Sequence, residues 1–251
     1  MNPPDNLYKY QTLSAHSLAS LANQTIWLAK PASFNDPFDC ALTLDRAKYK
    51  ESVMHAITVA LERAEPQGLK HEHLRDIWPG DAEAFEEFRD RLRNLFQHAG
   101  ICSFSSLPDH LLMWSHYASH HQGFCVEYDC REGTNLRKMA RPVQYMDSVP
   151  SLSAADFAPP NNSSAIDAMW LTKAKCWSYE EEWRIINMER GNNLFQMPSK
   201  VESIIFGARM PESDRLMIVR TLRYDEDVKF KHAVLKEEQF AIEISSFDAA
   251  N

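Results

Sequence analysis

Apolar residues recur along this chain with two different periods, and the places where the period changes mark its elements. Leu7-Tyr8-Lys9-Tyr10, rich in aromatics and preceded by Pro and Asp, reads as a short strand. A helix capped by Thr12 or Ser14 follows to about Asn23, with Leu13, Leu18 and Leu21 on its apolar side. Thr25 to Ala29 reads as a second strand stopped by Pro31, and Phe34-Asn35-Asp36-Pro37-Phe38-Asp39 as a loop. Arg46 to Glu65 and Asp81 to His98 carry apolar residues at helical spacing; the second shows a stripe of Phe85, Phe88, Leu92, Leu95 and Phe96 and stops at Gly100. Residues 66–80 between them read as irregular.

From Ile101 the period shortens. Strands are predicted over 101–105, 123–128, 141–145, 182–187, 201–206, 228–231 and 240–244. Helices are predicted from Pro108 to Tyr117, from about Asn161 to Ala174, and from Pro211 to Arg223. Residues 147–162, rich in Ser, Pro and Asn, read as a long surface loop. Strands lie on both sides of the helical stretch 46–98 without regular βαβ alternation. The expectation is therefore one α+β domain over 1–251, with a mixed or antiparallel sheet core and a helical insertion at about 46–98.

Composition narrows the function classes. The formal charge of −8 argues against a broad basic face for nucleic acid. Five scattered cysteines without a CxxC pair suggest free thiols rather than a zinc ribbon. The N-terminus lacks a basic region followed by an apolar run, and the apolar runs are far too short for a membrane span, so a cytoplasmic, membrane-independent protein is expected. GxxxxGK and GxGxxG are absent, which excludes the ordinary phosphate loop and dinucleotide fingerprint.

Several blocks can carry chemistry. In Trp177-Ser178-Tyr179-Glu180-Glu181-Glu182-Trp183-Arg184, an extended backbone would put Glu180 and Glu182 on one face, an acid/base or cation-stabilising pair. The bland alternative is a solvated strand entrance with Glu182 paired to an arginine. In Met113-Trp114-Ser115-His116-Tyr117-Ala118-Ser119-His120, His116 and His120 would share a helical face at a metal-ligand spacing, or simply pack near the helix end. The hydroxyls of Ser103 and Ser105 would point to one face of a strand. Lys9 between Tyr8 and Tyr10 fits a phosphate beside a stacking surface, or a snorkelling edge lysine. Asp36 and Asp39 could bind a metal or a ribose, or belong to an Asx-Pro turn.

Taken in order, Leu-Tyr-Lys-Tyr at 7–10, Ile-Trp-Leu at 26–28, Phe-Asn-Asp-Pro-Phe-Asp at 34–39, Cys-Ser-Phe-Ser at 102–105, Met-Trp-Ser-His-Tyr-Ala at 113–118, Gly-Phe-Cys-Val-Glu-Tyr-Asp at 123–129 and Trp-Ser-Tyr-Glu-Glu-Glu-Trp-Arg at 177–184 resemble the bacterial domain-of-unknown-function family 2971. That resemblance spans about residues 7 to 210 and implies no activity. A remoter similarity is to the ADP-ribosyltransferases, whose split-sheet fold carries a basic or histidine residue, a Ser-x-Ser segment and a Glu-x-Glu in this order. Lysine here stands where that superfamily typically has arginine or histidine, and Phe104 where a small residue is usual. The similarity implies NAD as substrate and no metal. Glu182, with Glu180, would be catalytic. Tyr8, Lys9, Tyr10, Ser103, Ser105, Trp114, His116 and Tyr117 would contact the nucleotide. The macromolecular target is open. The alternatives are a non-catalytic nucleotide, nucleic-acid or protein binding module using Tyr8, Trp27, Trp114 and Trp177, and a metal-dependent nuclease using Asp36, Asp39, His116 and His120.

Overall fold

Asn6–Gln11, the aromatic segment near the N-terminus, is an interior strand of a large sheet. The computed structural model describes residues 2–51, 81–153, 156, 162–222 and 227–247. Its strands begin with β1 (Asn6–Gln11), β2 (Thr25–Leu28), β3 (Thr43–Leu44), β4 (Gly100–Ser105) and β5 (Phe124–Asp129). Next come β6 (Arg141–Pro142), β7 (Gln144–Met146), β8 (Ser151–Leu152), β9 (Thr172–Ala174) and β10 (Glu182–Asn187). The last are β11 (Asn193–Gln196), β12 (Val201–Phe206), β13 (Lys229–Leu235) and β14 (Ile242–Ser246). The helices are α1 (Ala15–Ala22), α2 (Asp81–His98), α3 (Leu111–Tyr117), α4 (Asn135–Met139), α5 (Asn162–Trp170) and α6 (Glu212–Thr221). Helices and a large mixed sheet make this the expected α+β class.

The chain divides into two units. The first comprises residues 1–29, 100–143 and 176–251; the second comprises 30–99 and 144–175. In the first, eight strands order as β14-β13-β12-β5-β1-β4-β10-β6, antiparallel except where β12 runs parallel to β13. One sheet face carries the main core, with Leu7, Phe104, Val126, Tyr128, Trp183, Ile185, Ile204 and Phe206 all buried. α1, α4 and α6 cover it through Leu18, Leu21, Leu136 and Ile218. α1 starts where the sequence allowed: Ser14 caps it in a reciprocal box with Ser17, a feature worth about 1 kcal/mol. The opposite face carries a smaller cluster around Tyr10, Met113, Trp114, Ala118, Cys125 and Ile205, covered by α3.

In the second unit, Tyr49 meets Phe85 and Phe88 at ring separations of 5.2 and 5.4 Å, and Phe96 lies 4.5 Å from Trp170. The predicted stripe of α2 thus packs on aromatic partners. Asp36 Oδ1 accepts from the Phe38 amide at 2.8 Å, an Asx turn. Asp39 pairs with Lys173 at 3.5 Å with both side chains buried, and Phe38 stands exposed.

Four expectations change. The helix expected over 161–174 ends at Trp170, because Thr172–Ala174 pairs in parallel with Gln144–Met146. The strand expected over 141–145 splits into β6 and β7, since the Val143 amide turns to the Glu182 carbonyl between them. The loop 147–162 contains β8, paired with β3. β11, paired with β2, had no predicted counterpart. Residues 46–51 are helical as predicted; 52–80, the rest of that helix and the irregular stretch after it, lie outside the described residues.

Candidate functional site

Strand register gathers most of the candidate residues on the face under α3. Glu182 stands opposite Ser105, Ser105 opposite Tyr8, Tyr8 opposite Glu127, Glu127 opposite Ser203, and Ser203 opposite Lys229. Residues directly opposite one another project from the same sheet face, so a polar row crosses β10, β4, β1, β5, β12 and β13. One pleat along, Arg184 stands opposite Ser103, and Tyr10 opposite Cys125. Lys9 falls on the other face. It stands opposite Val126 of the main core, its Nζ donates to the Ser103 carbonyl at 3.2 Å, and it lies 5.6 Å over the Phe104 ring. Alternation along β1 therefore separates Lys9 from Tyr8, Tyr10, Ser103, Ser105 and Glu182.

The carboxylate block is not extended throughout. Lys175–Glu180 forms a 3-10 helix, Glu181 adopts φ 43°, and only Glu182 begins β10. Glu180 and Glu182 are therefore not the same-face strand pair expected from alternation: a left-handed residue separates them. Each is buried and separately held. Glu182 receives a two-pronged grip from Arg184, Nε to Oε1 at 2.7 Å and Nη2 to Oε2 at 3.0 Å, with the side chains 4% and 0% exposed. Glu180 accepts from the Tyr117 hydroxyl at 2.6 Å, and its backbone carbonyl accepts from Ser105 Oγ at 2.6 Å. Glu181 is the exposed member, and Ser106 Oγ donates to it. The strand entrance is thus pinned to the end of β4 by two consecutive serines.

Residues 113–185 match the model of a protein family of unknown function, DUF2971. No curated protein and no solved structure matches the chain. The DUF2971 segment contains the blocks at 113–118 and 123–129 and most of that at 177–184, and supports the resemblance there; the blocks at 7–10, 26–28, 34–39 and 102–105 precede it. It brings together α3, β5, the 3-10 helix and the start of β10, and with them Tyr117, Glu180, Glu182 and Arg184.

Within the DUF2971 segment the aromatic residues sort into packed and accessible sets. Trp114 is 0% exposed; its indole donates to the Pro108 carbonyl at 2.9 Å and its ring meets Tyr10 edge-on at 5.1 Å. Tyr10 in turn donates to the Leu107 carbonyl at 2.7 Å. Burial above all, then the neighbouring Cys125, raises the Tyr10 hydroxyl far above its usual range. These two rings are core. Half-buried Trp177 and Tyr179 and exposed His116 form the accessible set, with His110 stacked on Tyr179 at 5.1 Å. α3 ends at Tyr117, and Ser119, His120 and His121 follow with φ of 47°, 55° and 70°. His116 and His120 therefore do not sit four apart on one helix. Among the described residues no group of three or more His, Cys, Asp or Glu is arranged to hold a metal ion.

The structure adds a residue the sequence reading passed over. Glu127 is buried, and its Oε1 accepts from Asn6 Nδ2 at 2.9 Å and the Tyr8 hydroxyl at 3.2 Å. Its Oε2 accepts from Ser203 Oγ and, at 2.6 Å, from Lys231 Nζ. Burial alone would raise this carboxyl; the Lys231 and Ser203 hydrogen bonds, the Lys231 charge and Tyr8 outweigh it and hold it below the usual value. Tyr8 is raised far above its usual range, by burial first and the Glu127 charge second. A charged residue inside the otherwise apolar Phe-Cys-Val-Glu-Tyr run was the available signal.

Proposed function

We propose that the first unit cleaves the bond between nicotinamide and ribose in NAD, passing ADP-ribose to a macromolecule or to water. The observation that carries this reading is the cross-strand row Tyr8, Ser105, Glu182 on adjacent strands, with Arg184 opposite Ser103 one pleat along. As the C1′–N bond breaks, nicotinamide leaves with the bonding electrons and the ribose ring takes on positive charge. A buried carboxylate set against that charge stabilises the transition state. Glu182, oriented by Arg184, suits this role. Glu180, held by Tyr117, suits the incoming nucleophile, which loses its proton as the new bond forms. Ser105 positions Glu180 through its backbone. Trp177, Tyr179 and His116 offer ring faces for nicotinamide. Lys9 has no part in this assignment, and Trp114 contributes through packing.

The test is nicotinamide release from NAD by the full chain. Glu180→Gln and Glu182→Gln should each lower it on the order of 100-fold or more, in protein that still melts cooperatively. No release above buffer by the wild type, or unchanged rates in both folded variants, would overturn the proposal. The accessible rings favour one other reading, a nucleotide-binding module without catalysis. It predicts a nucleotide-dependent rise in melting temperature without turnover, lost in Trp177→Ala and kept in Glu180→Gln.

A further inference from the structure

Where the polar row reaches β12 and β13 it opens into a cavity of about 330 Å³ lined by Asp5, Asn6, Glu127, Arg131, Lys229 and Lys231, with Glu202 at its wall. The formal charges of this lining cancel, so charge alone does not say what it binds. The hydrogen-bond inventory does. Glu127 has both oxygens occupied, by Asn6 and Tyr8 on one side and by Ser203 and Lys231 on the other. A carboxylate accepting four donors has little left to offer a ligand. Glu202 is engaged by Arg131 at 2.6 Å and Lys200 at 3.3 Å, and Asp5 lies near Arg137 at 3.8 Å.

The donors are less committed. Lys231 places one of its ammonium protons on Glu127 and keeps two. Arg131 grips Asp129 and Glu202 through Nε and Nη2, which leaves its Nη1 edge. Lys229 projects from the same sheet face as Lys231, two residues away along β13, and its side chain makes no ion pair or hydrogen bond among the described residues. Spare donors exceed spare acceptors around a concave, polar space, which is the complement of an oxygen-rich anion.

We propose that this cavity binds a diphosphate-bearing ligand, with Lys229 and Lys231, about 7 Å apart along one face of β13, as its principal cations. The assignment stands apart from the NAD reading, because Glu127 lies three strands from Glu182, about 14 Å at the usual interstrand spacing, farther than the diphosphate of NAD lies from its nicotinamide–ribose bond. Tyr8 links the two regions, because its hydroxyl bonds to Glu127 at the cavity and its backbone position faces Ser105 in the row. Glu127 is the residue that fixes Lys231 and Asn6 in place, a positioning role.

Calorimetric titration of the full chain with inorganic pyrophosphate, orthophosphate and ADP-ribose tests the assignment. Pyrophosphate and ADP-ribose should bind with an affinity that falls as salt is raised; orthophosphate should bind more weakly than either. Lys229 is exposed, so Lys229→Glu should fold normally and weaken pyrophosphate binding by roughly tenfold or more, as expected for reversing a charge at contact. Glu180→Gln should leave pyrophosphate binding unchanged. Absence of pyrophosphate binding by the wild type, or equal binding by Lys229→Glu, would overturn the proposal. Tighter binding of orthophosphate than of pyrophosphate would overturn the diphosphate assignment. Failure of the NAD reading is separable, since it would appear as absent nicotinamide release with pyrophosphate binding intact.

Discussion

Arg184→Met isolates the most consequential contact in the candidate site. Arg184 and Glu182 are almost wholly removed from water, and two parallel hydrogen bonds of 2.7 and 3.0 Å join them. Truncating the cation while keeping its bulk leaves Glu182 buried with its chief partner gone, and a broken buried pair costs about 3–5 kcal/mol. For a chain of this length each kcal/mol lowers the melting temperature by about 2–4 °C, so the variant should melt roughly 6–20 °C below wild type. Replacing both, as Glu182→Leu with Arg184→Met, removes the stranded charge and should recover most of that loss. Urea unfolding and thermal melts of the wild type, the two single variants and the double variant form a closed cycle. If Arg184→Met unfolds within about 1 kcal/mol of wild type, the ion pair is not a structural anchor and the reasoning fails. The same cycle separates the roles of Glu182, because the double variant should be stable and inactive toward NAD.

Three further outcomes follow from the packing and the titrating groups. Trp114→Ala should cost about 3–5 kcal/mol of stability, measured by denaturant unfolding; a stable variant that merely loses ligand affinity would mean that the ring is a binding surface. Glu127 lies below its unfolded value of 4.5, so it adds stability that is complete above that pH and is lost as pH falls through its folded pKa. Lys231→Met removes a major cause of that lowering, so acid unfolding followed by tryptophan fluorescence should begin at higher pH, and an unmoved midpoint would contradict the cluster. Cys40, Cys102, Cys125 and Cys130 are buried and Cys176 is exposed. Burial, ahead of the neighbouring charges, pushes Cys130 up to about 11. A thiol reagent at pH 8 should therefore find one fast cysteine in the native protein, absent in Cys176→Ser, and a second fast thiol would refute the packing.

The strands were legible where their period was unbroken and their ends carried turn residues. Leu7-Tyr8-Lys9-Tyr10, Ile101 to Ser105 and Val201 to Phe206 all lie within observed strands. What escaped were elements whose hydrogen bonds are supplied from far along the chain. Thr172–Ala174 continues a helical pattern in sequence, yet Gln144–Met146 draws it into a sheet. Asn193–Gln196 has too short a pattern to be read until β2 is beside it. The site shows the same division. Pairing of Glu182 with an arginine at a solvated strand entrance was one of two open alternatives; alternation along β10 supplies Arg184 on the face that Glu182 needs, but Glu180 and Glu182 are buried rather than solvated. Glu181 breaks the alternation because a residue at φ 43° is left-handed rather than extended, and no letter in a run of three glutamates announces that.

Tyr8 joins these observations. Its hydroxyl lies on Glu127 and its strand position on Ser105, so the cavity at one end of the row and the carboxylates at the other share a residue. Each charged group in between is compensated: Glu182 by Arg184, Glu127 by Lys231, and Asp129 by Arg131, whose hydrogen bond holds that carboxyl below its usual range. Such a face is costly to leave dry, because every polar group in it must find a partner. The opposite face of this sheet is apolar, and on this face the apolar cluster under α3 lies beside the row. The concentration of compensated charges in one row is the argument for function that no single residue supplies. It directs experiments to the row as a unit, with Glu182 and Lys229 marking its two ends.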